Sequence, residues 1–214
     1  MLLKTIALIV ASGHSSRFAN SSITKVYQKI KGKEILYHVL KKFTDHYLVD
    51  EVCVVVKPEH EKYYQPILNE FRSIKVAFGG NTRKESVKNG LDFIAKLDPQ
   101  NVIIHDAARP FVSERLITDV IFALRTSDAV DVLLPIVDTL KRFDKNNNLV
   151  IVPRDGLYQT QTPQGFKFKV IYELHHDVTQ NVTDDISLAI EKGLIVSYVK
   201  GEASNYKITF KEDI

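Results

Sequence analysis

The chain has 214 residues, 44% of them hydrophobic and 26% charged, which suits one globular domain with a substantial core. Lys and Arg number 29 against 26 Asp and Glu, a formal charge of +3. That small excess suits an anionic small ligand and argues against a nucleic-acid binder, which concentrates far more positive charge on one face.

In chain order, the opening MLLKTIALIV is too short to span a bilayer and lacks a basic segment before its apolar run. Residues 5–10 read as a first strand that breaks into small residues, A11-S12-G13-H14-S15-S16-R17. Gly13 permits close approach of a ligand, and Arg17 offers a rigid fork of donors suited to phosphate oxygens. The spacing is neither GxxxxGK[ST] nor GxGxxG, so a plain strand-to-helix turn stands beside an anion site as a reading. EVCVVV (51–56), IKVAFG (74–79), NVIIHD (101–106) and AVDVLL (129–134) read as further strands. Helices are expected over 34–44, 60–71, 83–97 and 113–125, with Ser113 capping the last of these. Cys53, the single cysteine, lies in the apolar VCVVV run as a packed thiol, and no disulfide can form within the chain. The expectation is a soluble, cytoplasmic protein.

This β–α alternation predicts an α/β fold whose mostly parallel sheet is flanked by helices on both faces, with ligands beyond the carboxyl ends of its strands. The alternation stops after Pro135. KRF, the polar turn DKNNN and then LVIV predict a projecting β-hairpin arm at about 137–160, whose apolar residues need a partner surface. Helices follow at roughly 167–178 and 184–192, then the strand IVSYVK (195–200) and a short KITF strand (207–210). No internal repeat or linker divides the chain, so residues 1–214 form a single domain.

ASGHSSRF, TKVYQKIKGKEILYHVL, GGNTRKESVKNGL, HDAARPFVS, RDGLYQTQTPQGF, TDD (183–185) and NYKITFKEDI occur in the order of one family. The chain resembles the 2-C-methyl-D-erythritol 4-phosphate cytidylyltransferases along essentially its whole length, above all in HDAARP and QTPQ. The resemblance implies a Rossmann-like nucleotidyltransferase fold and transfer of CMP from CTP to a small polyol phosphate. By that resemblance Ala11, Ser12, Gly13 and Arg17 wrap CTP. Gly79, Gly80, Arg83 and Ser86 surround the base and ribose, and Lys25 and Lys207 stabilise charge at the α-phosphate. Asp106 would lie by the sugar and by Mg²⁺ held mainly by the CTP phosphates. Arg154 and Thr162, with Thr183 and Lys207, would bind the acceptor's phosphate, Arg154 reaching a neighbouring subunit's site in a homodimer built through the arm. No membrane or nucleic-acid partner is implied.

The residues alone also admit plainer readings. Arg83 is a solvated helix start, Ser86 a buried helix hydroxyl satisfying a carbonyl, Asp106 an acidic cap, Arg154 a turn cation and Thr183 an N-cap. Ser12 and Ser15 stand where the family usually has small residues including glycine, and Thr24-Lys25-Val26 replaces its PKQ. The chain stops at KEDI, where members of the family usually continue into a final helix or, in fused members, a cyclodiphosphate synthase domain. Ribitol-5-phosphate cytidylyltransferases resemble the chain in nearly every block, and a non-catalytic nucleotide-binding protein of this fold is a further alternative.

Overall fold

A computed structural model describes residues 3–13, 24–177 and 184–214. Thr5–Val10 forms β1, and a small ribbon of β2 (Lys29–Ile30) and β3 (Lys33–Glu34) leads into α1 (Ile35–Thr44). Then come β4 (Glu51–Val56), α2 (Glu61–Leu68), β5 (Lys75–Phe78), α3 (Arg83–Ala95), β6 (Asn101–Asp106), α4 (Glu114–Ala123) and β7 (Ala129–Pro135). The chain ends with β8 (Leu140–Phe143), β9 (Leu149–Val152), β10 (Tyr158–Lys167), α5 (Phe168–Asp177), α6 (Ile186–Glu191) and β11 (Val196–Lys200).

Seven strands make one sheet in the order β11-β7-β10-β6-β1-β4-β5. β10 alone runs antiparallel to its neighbours; the remaining pairs are parallel. The period-two alternation of the strands sorts their side chains into two cores. Ala7, Ile9, Val54 and Ile103 pack with α1, α2 and α4, whereas Ile6, Leu8, Val55 and Ile104 pack with α3, α5 and α6. Both faces being covered explains why these strands read as unbroken apolar runs. Cys53 is buried among them, and burial pushes its thiol up to about 12. Among the described residues no helix is long and apolar enough to cross a membrane.

The Ser113 cap forms as its sequence position requires, the hydroxyl accepting the Leu116 N–H at 3.0 Å. β8 and β9 pair as a separate antiparallel ribbon, Leu140 opposite Val152 and Phe143 opposite Leu149, so the expected arm is present. Two expectations are corrected. Residues 158–160 belong to the main sheet as the start of the ten-residue β10, not to the arm. Lys207–Phe210 forms no strand: Ile208 N–H donates to the Ala108 carbonyl at 2.8 Å, in the turn after β6 rather than on a strand.

Candidate active site

Three loops leave the carboxyl ends of parallel strands and are tied there by main-chain bonds. Ala11 N–H donates to the Val55 carbonyl at 2.8 Å, Gly79 N–H to Val56 at 2.8 Å, and Ala107 N–H to Val10 at 3.0 Å. The loops after β1, β5 and β6 therefore share one edge, where this architecture binds ligands. Ala11 and Ser12 are buried while Gly13 is exposed. A Cβ on Gly79 would lie 2.5 Å from Ser12 Cβ and 2.8 Å from Ser86 Oγ, so only glycine lets the first loop and α3 close on this point.

The start of α3 is cross-braced. Thr82 Oγ1 accepts the Glu85 N–H at 3.1 Å, and Glu85 Oε2 accepts the Asn81 N–H at 2.7 Å, relieving first-turn donors. The buried Ser86 hydroxyl donates to the Thr82 carbonyl at 2.8 Å and accepts the Gly80 N–H at 3.1 Å. Its helix-hydroxyl reading therefore matches the geometry, and the same bonds fix Gly80 next to Gly79.

Arg83 is not a solvated helix start. Its Nε lies 3.3 Å from Asp106 Oδ1 and its Nη2 lies 2.8 Å from Asp185 Oδ2. Lys207 Nζ donates to the second Asp106 oxygen at 2.6 Å. Burial opposes charge on Asp106, but Arg83 and then Lys207 outweigh it and hold the carboxyl far below the usual carboxylate range. Burial likewise opposes charge on Asp185, which Arg83 and His175 keep low; His175 Nε2 is 3.0 Å from Asp185 Oδ1.

A second brace runs under Asp106. His105 Nε2 donates to the Arg109 carbonyl at 3.0 Å, which leaves Nδ1 to accept from the Thr162 hydroxyl at 3.1 Å. The same hydroxyl oxygen accepts the Asp106 N–H at 3.1 Å. Burial pushes His105 down to about 4, in keeping with this neutral arrangement. The Thr162 hydroxyl hydrogen is thus engaged on His105, and Thr162 steadies the end of β6.

The segment after β11 is pinned onto this edge. Arg109 Nη1 donates to the Asn205 carbonyl at 2.8 Å, and Asn205 Nδ2 donates to the Thr162 carbonyl at 2.9 Å. Gln161 receives the Glu202 N–H at 3.1 Å and donates to the Glu202 carbonyl at 2.9 Å. Lys25 Nζ donates to the Ile208 carbonyl at 2.8 Å. Lys25 and Lys207, distant in sequence, therefore meet on one short segment, and with Arg83 and Arg109 they outnumber Asp106 and Asp185, leaving the edge net positive. Such a cluster suits several closely spaced phosphate oxygens.

Arg154 stands apart on the turn between β9 and β10, its guanidinium donating to the Val137 carbonyl at the base of the arm. Arg17 and Thr183 lie outside the described residues. Beside Thr183, Asp184 Oδ1 accepts the Ser187 N–H at 3.0 Å at the start of α6, and Asp184 Oδ2 accepts from Gln164 Nε2 at 3.2 Å. Sequence reasoning assigned nothing to His175, Gln161 or Asn205. A histidine in an amphipathic helix and two amides in polar stretches carry no local signal of their partners.

Among the described residues no group of three or more His, Cys, Asp or Glu side chains is placed to hold a metal ion. Asp106, ionised and at the sheet edge, fits instead as a single oxygen donor to a divalent cation carried mainly by a ligand's phosphates.

The family model described as 2-C-methyl-D-erythritol 4-phosphate cytidylyltransferase (IspD) matches residues 5–214. A protein of that name from Caldanaerobacter subterraneus subsp. tengcongensis is 38% identical over 216 residues, covering 97% of this chain and 94% of the relative. The bifunctional enzyme IspD/IspF of Wolbachia pipientis wMel is 37% identical over 216 residues, covering 99% of this chain and 54% of that protein. The chain thus spans about half the length of the bifunctional relatives it matches. Among solved structures, 4-diphosphocytidyl-2C-methyl-D-erythritol synthase from Anaerococcus prevotii superposes with a TM-score of 0.86 at 30% identity, covering 99% of this chain and 92% of that one.

Proposed function

The chain belongs to the 2-C-methyl-D-erythritol 4-phosphate cytidylyltransferase family, and on that premise we propose that it transfers CMP from CTP to 2-C-methyl-D-erythritol 4-phosphate, releasing pyrophosphate. The observation that carries this reading is the sharing of Asp106 between Arg83 and Lys207, beside Lys25, at the carboxyl edge of the sheet. In the reaction an oxygen of the acceptor's phosphate forms a bond to the α-phosphorus of CTP, and the bond from that phosphorus to the bridging oxygen breaks. Pyrophosphate leaves with the electron pair. A phosphate monoester is largely ionised at neutral pH, so the site needs no general base.

What the reaction does need is positive charge where negative charge builds up on the α-phosphate, already oriented before the reaction. Lys25 and Lys207 supply it, and Asp106 keeps the Lys207 ammonium in reserve until the polyphosphate competes for it. Mg²⁺ carried by the CTP phosphates would be held on the protein side by Asp106, and when bound would supply charge neutralisation of the triphosphate. Ala11, Ser12, Gly13 and Arg17 would line the nucleotide phosphates, while Gly79 and Gly80 present main-chain groups to the base. Ser86 and Arg83 hold that wall in place.

Arg154, with Thr183, would bind the acceptor's phosphate across a homodimer interface made by the arm. The exposed apolar side chains Val137, Phe143, Leu149 and Ile151 support this, since a two-stranded ribbon bearing them is marginal alone. The test is incubation with CTP, Mg²⁺ and, in separate reactions, methylerythritol phosphate and ribitol 5-phosphate. Cytidylylated methylerythritol with stoichiometric pyrophosphate is the expected product; turnover confined to the pentitol phosphate would reject this acceptor.

A further inference from the structure

His175 takes no part in the transfer as described, yet it ends a continuous line of polar contacts into the site. It is carried by α5 and is buried, and its only polar partner among the described residues is Asp185, its Nδ1 having none. Asp185, fully buried just before α6, gives its other carboxylate oxygen to Arg83. Arg83 holds one oxygen of Asp106, and Lys207 holds the other. From Asp185 to Lys207 the charges alternate in sign and cancel, so each group's position depends on the next.

We propose that His175 is a positioning residue for the transfer, fixing Lys207 through Asp185, Arg83 and Asp106. The unfinished contact between Arg83 and Asp185 decides the direction of the effect. Arg83 Nε donates to Asp106 Oδ1 at 3.3 Å, whereas Nη2 lies 2.8 Å from Asp185 Oδ2 as an ion pair that leaves this oxygen without a hydrogen bond. Without the imidazole, neither buried oxygen of Asp185 has a hydrogen-bond donor among the described residues, and buried acceptors left unmatched are costly. The nearest available donors belong to Arg83, which turns further onto Asp185 and releases Asp106. Asp106 then holds the Lys207 ammonium alone and more tightly, so the amine is slower to leave for the α-phosphate.

This inference rests on the cytidylyl-transfer reading, and its test carries a readout independent of turnover. His175→Leu should lower kcat about 10-fold, as loss of an orienting partner does elsewhere, with KM for CTP changed less than about 3-fold. Acetylation of Lys207 in the ligand-free full chain, followed by peptide mass spectrometry, should slow severalfold. His175→Gln, whose amide nitrogen takes the place of Nε2, should restore both. Should His175→Leu fail to fold, His175→Asn, whose amide stops short of Asp185, takes its place in both measurements. Unchanged Lys207 labelling and kcat in a folded variant, or no recovery with Gln, overturns the proposal. Absence of any transfer by the native chain defeats the functional reading instead, and the labelling still decides the role of His175.

Discussion

The edge around Asp106 and the arm of β8 and β9 are built on opposite principles. At the edge, buried charges are matched one to one and locked by hydrogen bonds from β6, β10, α3 and the segment after β11. In the arm, apolar side chains face solvent, and the principal fixed geometry is the Asp144 turn, whose Oδ1 accepts the Asn146 and Asn148 N–H groups at 2.9 and 2.8 Å. The charges at the edge find their partners within one chain, whereas the arm leaves its apolar side chains uncovered. On the proposed reading, the nucleotide site draws on the first kind of structure within one chain, and the acceptor site would borrow from the second across two copies.

The sharpest way to break this contrast is to remove a charge from the matched side. Lys207→Ala should reduce turnover by about 10²–10³-fold, the usual loss when one preorganised stabiliser of transition-state charge is deleted. The fold should survive, because Asp106 keeps Arg83 and the lysine is partly exposed. Near-native turnover in steady-state assays would remove Lys207 from the chemistry. On the arm side, Arg154→Ala should lower kcat/KM for the acceptor roughly 10–100-fold, the worth of a charged hydrogen bond or two. KM for CTP should stay within about 2-fold, and equal damage to both substrates would contradict a divided site.

A smaller effect concerns the arm's packing. Ile151 is 73% exposed in the single chain, so Ile151→Asp leaves the monomer fold alone. Set in a dimer interface, the same carboxylate would have to be desolvated without a partner. Sedimentation should show self-association weakened at least about 10-fold. An unchanged oligomer would mean that the exposed ribbon is not the contact.

The two regions also differ in how far the sequence reveals them. β1, β4, β6 and β7 are legible because burial on both faces forces unbroken apolar runs, and the arm because DKNNN separates two short runs. β10 is hidden because Gln161, Thr162 and Gln164 are buried for their hydrogen bonds, which erases any apolar period from YQTQTPQGFK. KITF misleads in the other direction: it alternates like a strand, yet Ile208 is its only fully buried side chain. At the site, the position of Asp106 at the end of a strand is a local signal. Its pairing with Lys207 spans 101 residues, and no local pattern announces a contact of that range. Arg83 shows the cost of this, since beside Lys84 and Glu85 it looks like a solvated first turn.

The finest test of the matched edge is its response to pH. His105 is pushed down to about 4 by burial, while an unfolded histidine titrates near 6.5. Between these values the unfolded chain takes up a proton that the native chain refuses, so stability falls as pH drops through this window. Below about 4 the native His105 also protonates and its contribution levels off. Asp106 acts in the next window: its native value lies far below an unfolded carboxyl near 3.9, so its stabilisation is intact above that value and is lost as pH falls further. Thermal melts from pH 7 to pH 4 should therefore show a decline that His105→Gln flattens by the equivalent of one proton. The glutamine amide can still donate to the Arg109 carbonyl but cannot titrate. A variant whose decline matches that of the native chain would show that the imidazole under Asp106 is not held neutral, and the brace through Thr162 would have to be drawn with the opposite hydrogen-bond direction.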